Sequence, residues 1–190
     1  MELPFFEDFN FIDTNFNAEP FEKGNYENGV FTSCNFSNVD FSNVVFVECT
    51  FIDCNLAMAK LKKTSFKDIR FENCNLLGLH FDDCNPFMFE VSFDSCRLNL
   101  SSFFSLNLKN TVFNNCELKE VDFSQCNLSQ AFFKDCDLLD AVFDNTNLEK
   151  ADLRSALNFT INPAFNNIKK AKFSTTNIIG LVKGFNIIIE

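Results

Sequence analysis

Tryptophan is absent from these 190 residues, and there is one tyrosine, one histidine and only five glycines. A single imidazole, His80, leaves no second histidine for a metal site. Five scattered glycines form no Gly-rich phosphate loop. No apolar run approaches the roughly 18 residues that a membrane-spanning helix needs. The opening MELPFFEDF lacks the basic segment of a signal peptide, so a cytoplasmic location is expected. Basic residues are outnumbered, 16 Lys and Arg against 26 Asp and Glu, for a net charge of −10. Binding nucleic acid through its phosphates needs clustered cations; this balance argues against it and suits a basic partner surface or plain solubility. The acid is uneven: residues 1–90 hold 15 acids against 6 bases, the remainder 11 against 10.

What the chain has instead is phenylalanine, 28 of them, and a spacing that fits neither a helix nor a strand. From Phe123 onward, Phe123, Leu128, Phe133, Leu138, Phe143 and Leu148 recur every five residues. A helix repeats in 3.6 and a strand in 2.0. The register runs from Phe6 to Phe81 and again from Phe93 to Leu153, and with Phe173 it takes in 19 of the 28 phenylalanines, too many for chance. Two positions before each centre stands a small residue, such as Cys34, Val39, Val44, Ala131 or Ala151; the other three positions are mostly polar. Two inward and three outward residues per unit describe a solenoid wall with a corner. No unit buries its own apolar side, so the units must stack.

The cysteines set the size of the coil. All nine occupy the small inward position; Cys34, Cys54 and Cys74 are 20 apart, as are Cys96, Cys116 and Cys136. Four fives make 20, so one coil has four sides, and cysteines 20 apart lie one strand spacing (~4.8 Å) above each other. The interval from Cys74 to Cys96 is 22, which reads as a two-residue insertion near 84–86. Between 93 and 148 the centres alternate Phe and Leu without exception, placing Phe on one pair of opposite faces and Leu on the other. About eight coils at ~4.8 Å make a rod on the order of 40 Å long.

Catalysis finds little support. His80 lies on the outward side, out of reach of the inward thiols, and reads as a solvent-facing wall residue. Zinc wants four ligands converging on one point, whereas the columns space thiols by a strand; the cysteines read as small buried hydrophobes and, in a reducing compartment, as thiols. No cofactor and no metal site is expected. Phe at strictly inward positions is core rather than a base-stacking surface; Phe87, Phe89 and Phe104 are off-centre, and Phe104 and Phe132 are expected to project.

Units such as CNFSN, VDFSQ, CNLSQ, CDLLD and ADLRS resemble the pentapeptide-repeat family, whose consensus is A(D/N)LXX. The resemblance covers most of the chain and implies an all-β fold, a right-handed quadrilateral parallel β-helix over residues 1–160. Beyond Leu153 the pattern decays, with Asn158 and Pro163 where centres belong, and recovers at Ile168, Phe173 and Ile178. Residues 161–190 are expected to form an irregular last coil, a short helix over Asn177–Lys183 capped by Ser174, Thr175 or Thr176 and ended by Gly184, and a last strand over Phe185–Ile189. This tail is similar to the microcin-immunity and quinolone-resistance branch of the family. That likeness implies a homodimer through the C-terminus, with Ile179, Leu181, Val182, Phe185, Ile187 and Ile189 at its interface, and a rod that binds DNA gyrase or a related topoisomerase as a mimic of duplex DNA. Asp40, Asp82, Asp83, Asp122 and Asp144 are the expected partner-binding residues, with Lys60, Lys62, Lys63, Lys67 and Arg70 a basic coil among them. The long loops that several quinolone-resistance members carry are missing, which weighs against drug protection. The alternative is a scaffold module that binds another protein without DNA mimicry.

Overall fold

A five-residue unit closes on itself through one repeated turn. In Asn35–Val39 the N–H of Val39 donates to the carbonyl of Phe36 at 3.0 Å, and Asn38 between them has φ of 59°. That is a type II turn, which requires a positive φ at its third residue. Asn35 supports it: its Oδ1 accepts the N–H of Ser37 at 3.1 Å. Asn75, Asn127 and Asn147 do the same two residues on, which explains the Asn or Asp before so many centres. The cost of the corner shows in the backbone: 27 non-glycine residues have φ between 51° and 66°, at intervals of mostly five. Asn and Asp tolerate that region best, and they fill 14 of the 27 places.

The computed structural model describes residues 4–185 and 187. They form a right-handed four-sided parallel β-helix with eleven short strands: β1 (Phe5–Glu7), β2 (Asn10–Ile12), β3 (Asn25–Glu27), β4 (Val30–Thr32), β5 (Val45–Val47), β6 (Thr50–Ile52), β7 (Ser65–Lys67), β8 (Ile69–Glu72), β9 (Val91–Asp94), β10 (Val112–Asn114) and β11 (Phe132–Lys134). Each pairs in parallel with the strand one coil away, Phe31 opposite Phe51 and Phe113 opposite Phe133. We number the faces by their centres. Face 1 carries Phe6, Tyr26, Phe46 and Phe66, then Leu108, Leu128 and Leu148. Face 2 carries Phe11 through Phe133, face 3 Phe16 through Leu138, and face 4 Phe21 through Phe143. On face 3 isolated bridges link Asn15, Asn35, Asn55, Asn75, Arg97, Glu117, Asp137 and Leu157, eight levels in one column.

The core is the inside of this tube. On face 2 seven phenylalanines stack without a break, from Phe11–Phe31 (5.5 Å between ring centres, 7° between planes) to Phe113–Phe133 (5.0 Å, 4°). Rings of adjacent faces meet edge to face, as Phe113 and Phe123 do at 80°, so one arrangement satisfies both preferred aromatic geometries. All nine cysteines are buried and free. At most small positions held by a thiol, Thr or Ser, its hydrogen reaches the carbonyl of a centre one coil below: Cys54 to Phe31 at 3.3 Å, Thr64 to Phe41 at 2.8 Å, Ser101 to Leu76 at 2.9 Å. Outside, two asparagine ladders bind coil to coil. Asn35, Asn55 and Asn75 run along face 3, and Asn127, Asn147 and Asn167 along face 1, each Nδ2 donating to the Oδ1 below at 2.8 to 3.4 Å.

The insertion lies just beyond the expected 84–86: Asn85 still bonds 20 residues back to Ser65 at 3.1 Å, and the extra residues fall between it and Val91, which pairs with Ile69. Phe71 pairs with Phe93, 22 residues on, and the register resumes. A short 3-10 turn at Phe81–Asp83 replaces the corner, and the sheet of β1, β3, β5 and β7 ends at β7. Phe89 turns inward into the slot this leaves, packing near Phe66 and Phe81. Phe87, Phe104 and Phe132 project, 66%, 42% and 47% exposed.

The tail differs from expectation in detail. Bridges continue past residue 160, Asn147 to Asn167 and Asp152 to Lys172. Phe159, not Asn158, is buried, so the wall slips by one residue there. The helix over Asn177–Lys183 is instead two 3-10 turns, Ile178–Leu181 and Lys183–Phe185, and Ile178 is 53% exposed rather than a resumed centre. The cap is Asn177 itself: its Nδ2 donates to the carbonyls of Leu153 (2.7 Å) and Ala156 (3.0 Å), covering the open end of the last coil. Ser174 orients it through a reciprocal pair of bonds, 2.9 and 3.2 Å. Phe185 lies in the second 3-10 turn, so the expected strand does not begin there; most of that strand, Ile189 included, falls outside the described residues.

Candidate protein-binding faces

Stacking fixes the outward residues as firmly as the inward ones, because a position that repeats every coil becomes a column. The structure brings Asp40, Asp82, Asp83, Asp122 and Asp144 to one side, face 4. Asp40 pairs with Lys60, His80 with Ser102, and Asp122 with Ser102 below and Val142 above. The Lys23 ammonium, 2.7 Å away, and Ser42 hold the Asp40 carboxyl well below the usual carboxylate range. Asp122 accepts the Ser124 N–H at 2.8 Å. His80 lies exposed, its Nδ1 3.5 Å from Asp82. Lys60, Lys62 and Lys63 occupy the same face between Asp40 and Asp82, while Lys67 lies on face 1 and Arg70 on face 2.

Charge density separates this face from another. Asp40 and Asp144 are five coil intervals apart, about 24 Å, and three lysines interrupt the five aspartates. At the corner of faces 1 and 2, Glu7, Asp8, Glu27, Glu48 and Asp68 crowd four successive coils. Glu7 pairs with Glu27, and Asp8, Glu48 and Asp68 are corner residues with φ of 51°. This strip covers about 14 Å, a length over which duplex DNA carries about eight phosphates. Asn28 donates its Nδ2 to Asp8 within the strip, and a cavity of about 230 Å³ opens beside it, lined by Asn28, Glu48, Asp68 and Arg70. The signal was present in the sequence: Asp8, Glu48 and Asp68 share one register position.

On the expected dimer surface, Ile179, Phe185 and Ile187 are exposed, by 44%, 53% and 56%. Val182 is half-buried, and Leu181 packs against the core. Among the described residues no three His, Cys, Asp or Glu converge to hold a metal ion, and no helix is long and apolar enough to cross a membrane.

The sequence matches the model described as pentapeptide repeat region in three overlapping stretches, residues 25–103, 44–123 and 80–153. No curated protein matches it. Among solved structures, it is similar to full-length QnrB1, a plasmid-mediated fluoroquinolone resistance protein, at 19% identity and a TM-score of 0.55, over 97% of this chain and 100% of that one. It is also similar to HetL, a pentapeptide repeat protein involved in heterocyst differentiation regulation from the cyanobacterium Nostoc sp. strain PCC 7120. There the identity is 12% and the TM-score 0.60, over 92% of this chain and 88% of that one. Both likenesses are of fold.

Proposed function

The chain belongs to the pentapeptide-repeat family, and from that premise we propose that it is a non-catalytic binding protein that occupies the basic DNA-binding saddle of DNA gyrase or a related topoisomerase. The observation that carries the reading is the carboxylate strip Glu7–Asp8–Glu27–Glu48–Asp68 along one corner of a rod. A rod whose corners repeat the same turn loses little conformational entropy on docking, and a strip of like charge steers it to a basic surface. A second copy docks at the C-terminal end through Ile179, Phe185 and Ile187; Ile179→Asp with Phe185→Asp would then give monomers in sedimentation where the wild type gives dimers.

The test is gyrase supercoiling with rising amounts of the protein. Inhibition, or rescue from a gyrase poison, supports the reading, and Glu48→Lys with Asp68→Lys should abolish the effect. No effect at tens of micromolar favours a scaffold that binds another protein. One observation supports that second reading: on face 4 the lysine coil lies between Asp40 and Asp82–Asp83. A phosphate-binding saddle repels the middle of that pattern, whereas a protein with the opposite alternation matches it.

A further inference from the structure

Six of the nine thiols form a single column. Cys34, Cys54, Cys74, Cys96, Cys116 and Cys136 succeed one another coil by coil on the inner side of the corner between faces 2 and 3, all buried and free. The residues beside them pair rung by rung, from Asn35–Asn55 to Glu117–Asp137. Successive thiols therefore stand about one strand spacing, ~4.8 Å, apart.

That interval decides what the column can do. A disulfide needs sulfurs at about 2.05 Å and β-carbons near 3.8 Å, closer than in-register parallel strands bring them. Zinc needs about four donors converging on one point. An ion held in line between two sulfurs needs them about two metal–thiolate bonds apart, each about 2.3 Å, which the ladder supplies. Soft ions such as Cu(I) select thiolates. We propose that the column binds a soft monovalent d10 cation, Cu(I) or its analogue Ag(I), in line between successive thiolates, entering at Cys74, Cys96 and Cys116.

Two further observations support the site. A sulfur of the column already accepts a backbone N–H group, as a bound thiolate requires: Cys34 N–H donates to Cys54 Sγ at 3.4 Å. Outside this corner lies a cavity of about 540 Å³ whose lining includes Cys74, Cys96, Cys116, Glu117, Asp135 and Asp137. Arg97 lines it too and pairs with Glu117, and Lys119 pairs with Asp137; Asp135 remains to draw a cation to this corner, whose thiols stack on six coils. Binding takes the form 2 RSH + M⁺ → [RS–M–SR]⁻ + 2 H⁺, with no change of oxidation state. The protons leave the hydrogen bonds that Cys74 makes to Phe51 and Glu72, and Cys96 to Phe71 and Asp94. As separate pairs, 34–54, 74–96 and 116–136, the column holds up to three ions.

The test is titration of the reduced, folded chain with Ag(I) against a chromophoric chelator, with proton release followed at constant pH, and then with Cu(I). Three tight sites are expected, each releasing two protons. Cys74→Ala with Cys96→Ala and Cys116→Ala should leave one tight site, the Cys34–Cys54 pair. Cys49→Ala with Cys84→Ala and Cys126→Ala, which removes as many thiols outside the column, should keep all three; alanine holds the same inner position at Ala131 and Ala151. If the first variant lacks the wild-type circular dichroism, Cys96→Ala alone is read, and the sites should fall from three to two. Equal loss in both triple variants, three sites remaining in Cys96→Ala, or uptake by the wild type only in urea would overturn the assignment.

Discussion

Phe9 lies flat against Gly29 of the next coil: a β-carbon built on Gly29 would fall 2.2 Å from the ring. Phe9 holds a small inward position in the first coil, where later coils have Cys49, Ile69 and Val91 at the same corner. A ring fits there because glycine stands above it. It meets Tyr26 at 5.3 Å and Phe31 at 4.9 Å and closes the tube. The other end repeats the device, with Phe159 against Gly180, whose β-carbon would lie 2.4 Å from the ring.

Gly29→Ala should therefore destabilise the protein by about 1–3 kcal/mol, the cost of overpacking, measured by urea unfolding. Phe9→Ala with Gly29→Ala should cost less than the two single changes together, because the clash disappears with the ring. Strict additivity would mean that Phe9 does not plug the end.

Asn177→Ala removes the donor to the carbonyls of Leu153 and Ala156. Leaving such acceptors unpaired costs about 1–3 kcal/mol. Hydrogen exchange should quicken first in the last two coils, with the N-terminal coils unchanged. Uniform quickening would show that the end does not open separately.

The coil could be read from residue types because the inward pair and the outward trio obey different chemistry at every repeat. Columns 20 residues apart, the alternating Phe and Leu faces and the insertion before Phe93 all follow from that one period. The ends could not be read so, since an end coil has a neighbour on one side only. Phe9 and Phe159 break the pattern because they plug, and Asn177 covers the last coil because its amide can span two carbonyls, while Ser174 accepts the Asn177 N–H. The acidic corner was overlooked for another reason: its carboxylates sit at the position with positive φ, where Asp also serves the turn.

The pH limits of stability follow from two sets of groups. Arg154 binds Asp152 through Nε and Nη2, at 2.9 and 2.7 Å, and holds its carboxyl below the usual range; Lys23 and Ser42 do so for Asp40. A depressed carboxyl contributes stability above its unfolded pKa, about 3.9, and that contribution is lost as pH falls through the folded value. Lys23, Asp40 and Arg154 are open to solvent, so each pair gives only a small part. Burial acts the opposite way on thiols, raising Cys49 to about 11 and Cys126 to about 12. Their contribution is full below the unfolded thiol value of about 8.5 and is lost as pH rises toward 11. Stability should thus be flat from about pH 5 to 8 and fall on both sides. Cys49→Ala with Cys126→Ala should blunt the alkaline fall alone, and an unchanged alkaline limb in that variant would contradict the assignment.

Deleting Asn85 and Pro86 tests whether the insertion is a tolerated slip or a structural need. Without them Met88 falls five residues after Phe81 and five before Phe93, on the face 1 column between Phe66 and Leu108. Its present φ of 56° marks it as a corner residue; in the shortened chain it becomes a centre, and the ladder that now stops at β7 can continue. Met and Phe both fill apolar space, so Met88 can take the slot now held by Phe89. The expected result is a folded protein within about 1 kcal/mol of the wild type, the usual cost of a volume-conserving core exchange, with Phe89 more exposed. Loss of folding would show that Phe89 in that slot is required, and that the two residues are there to deliver it.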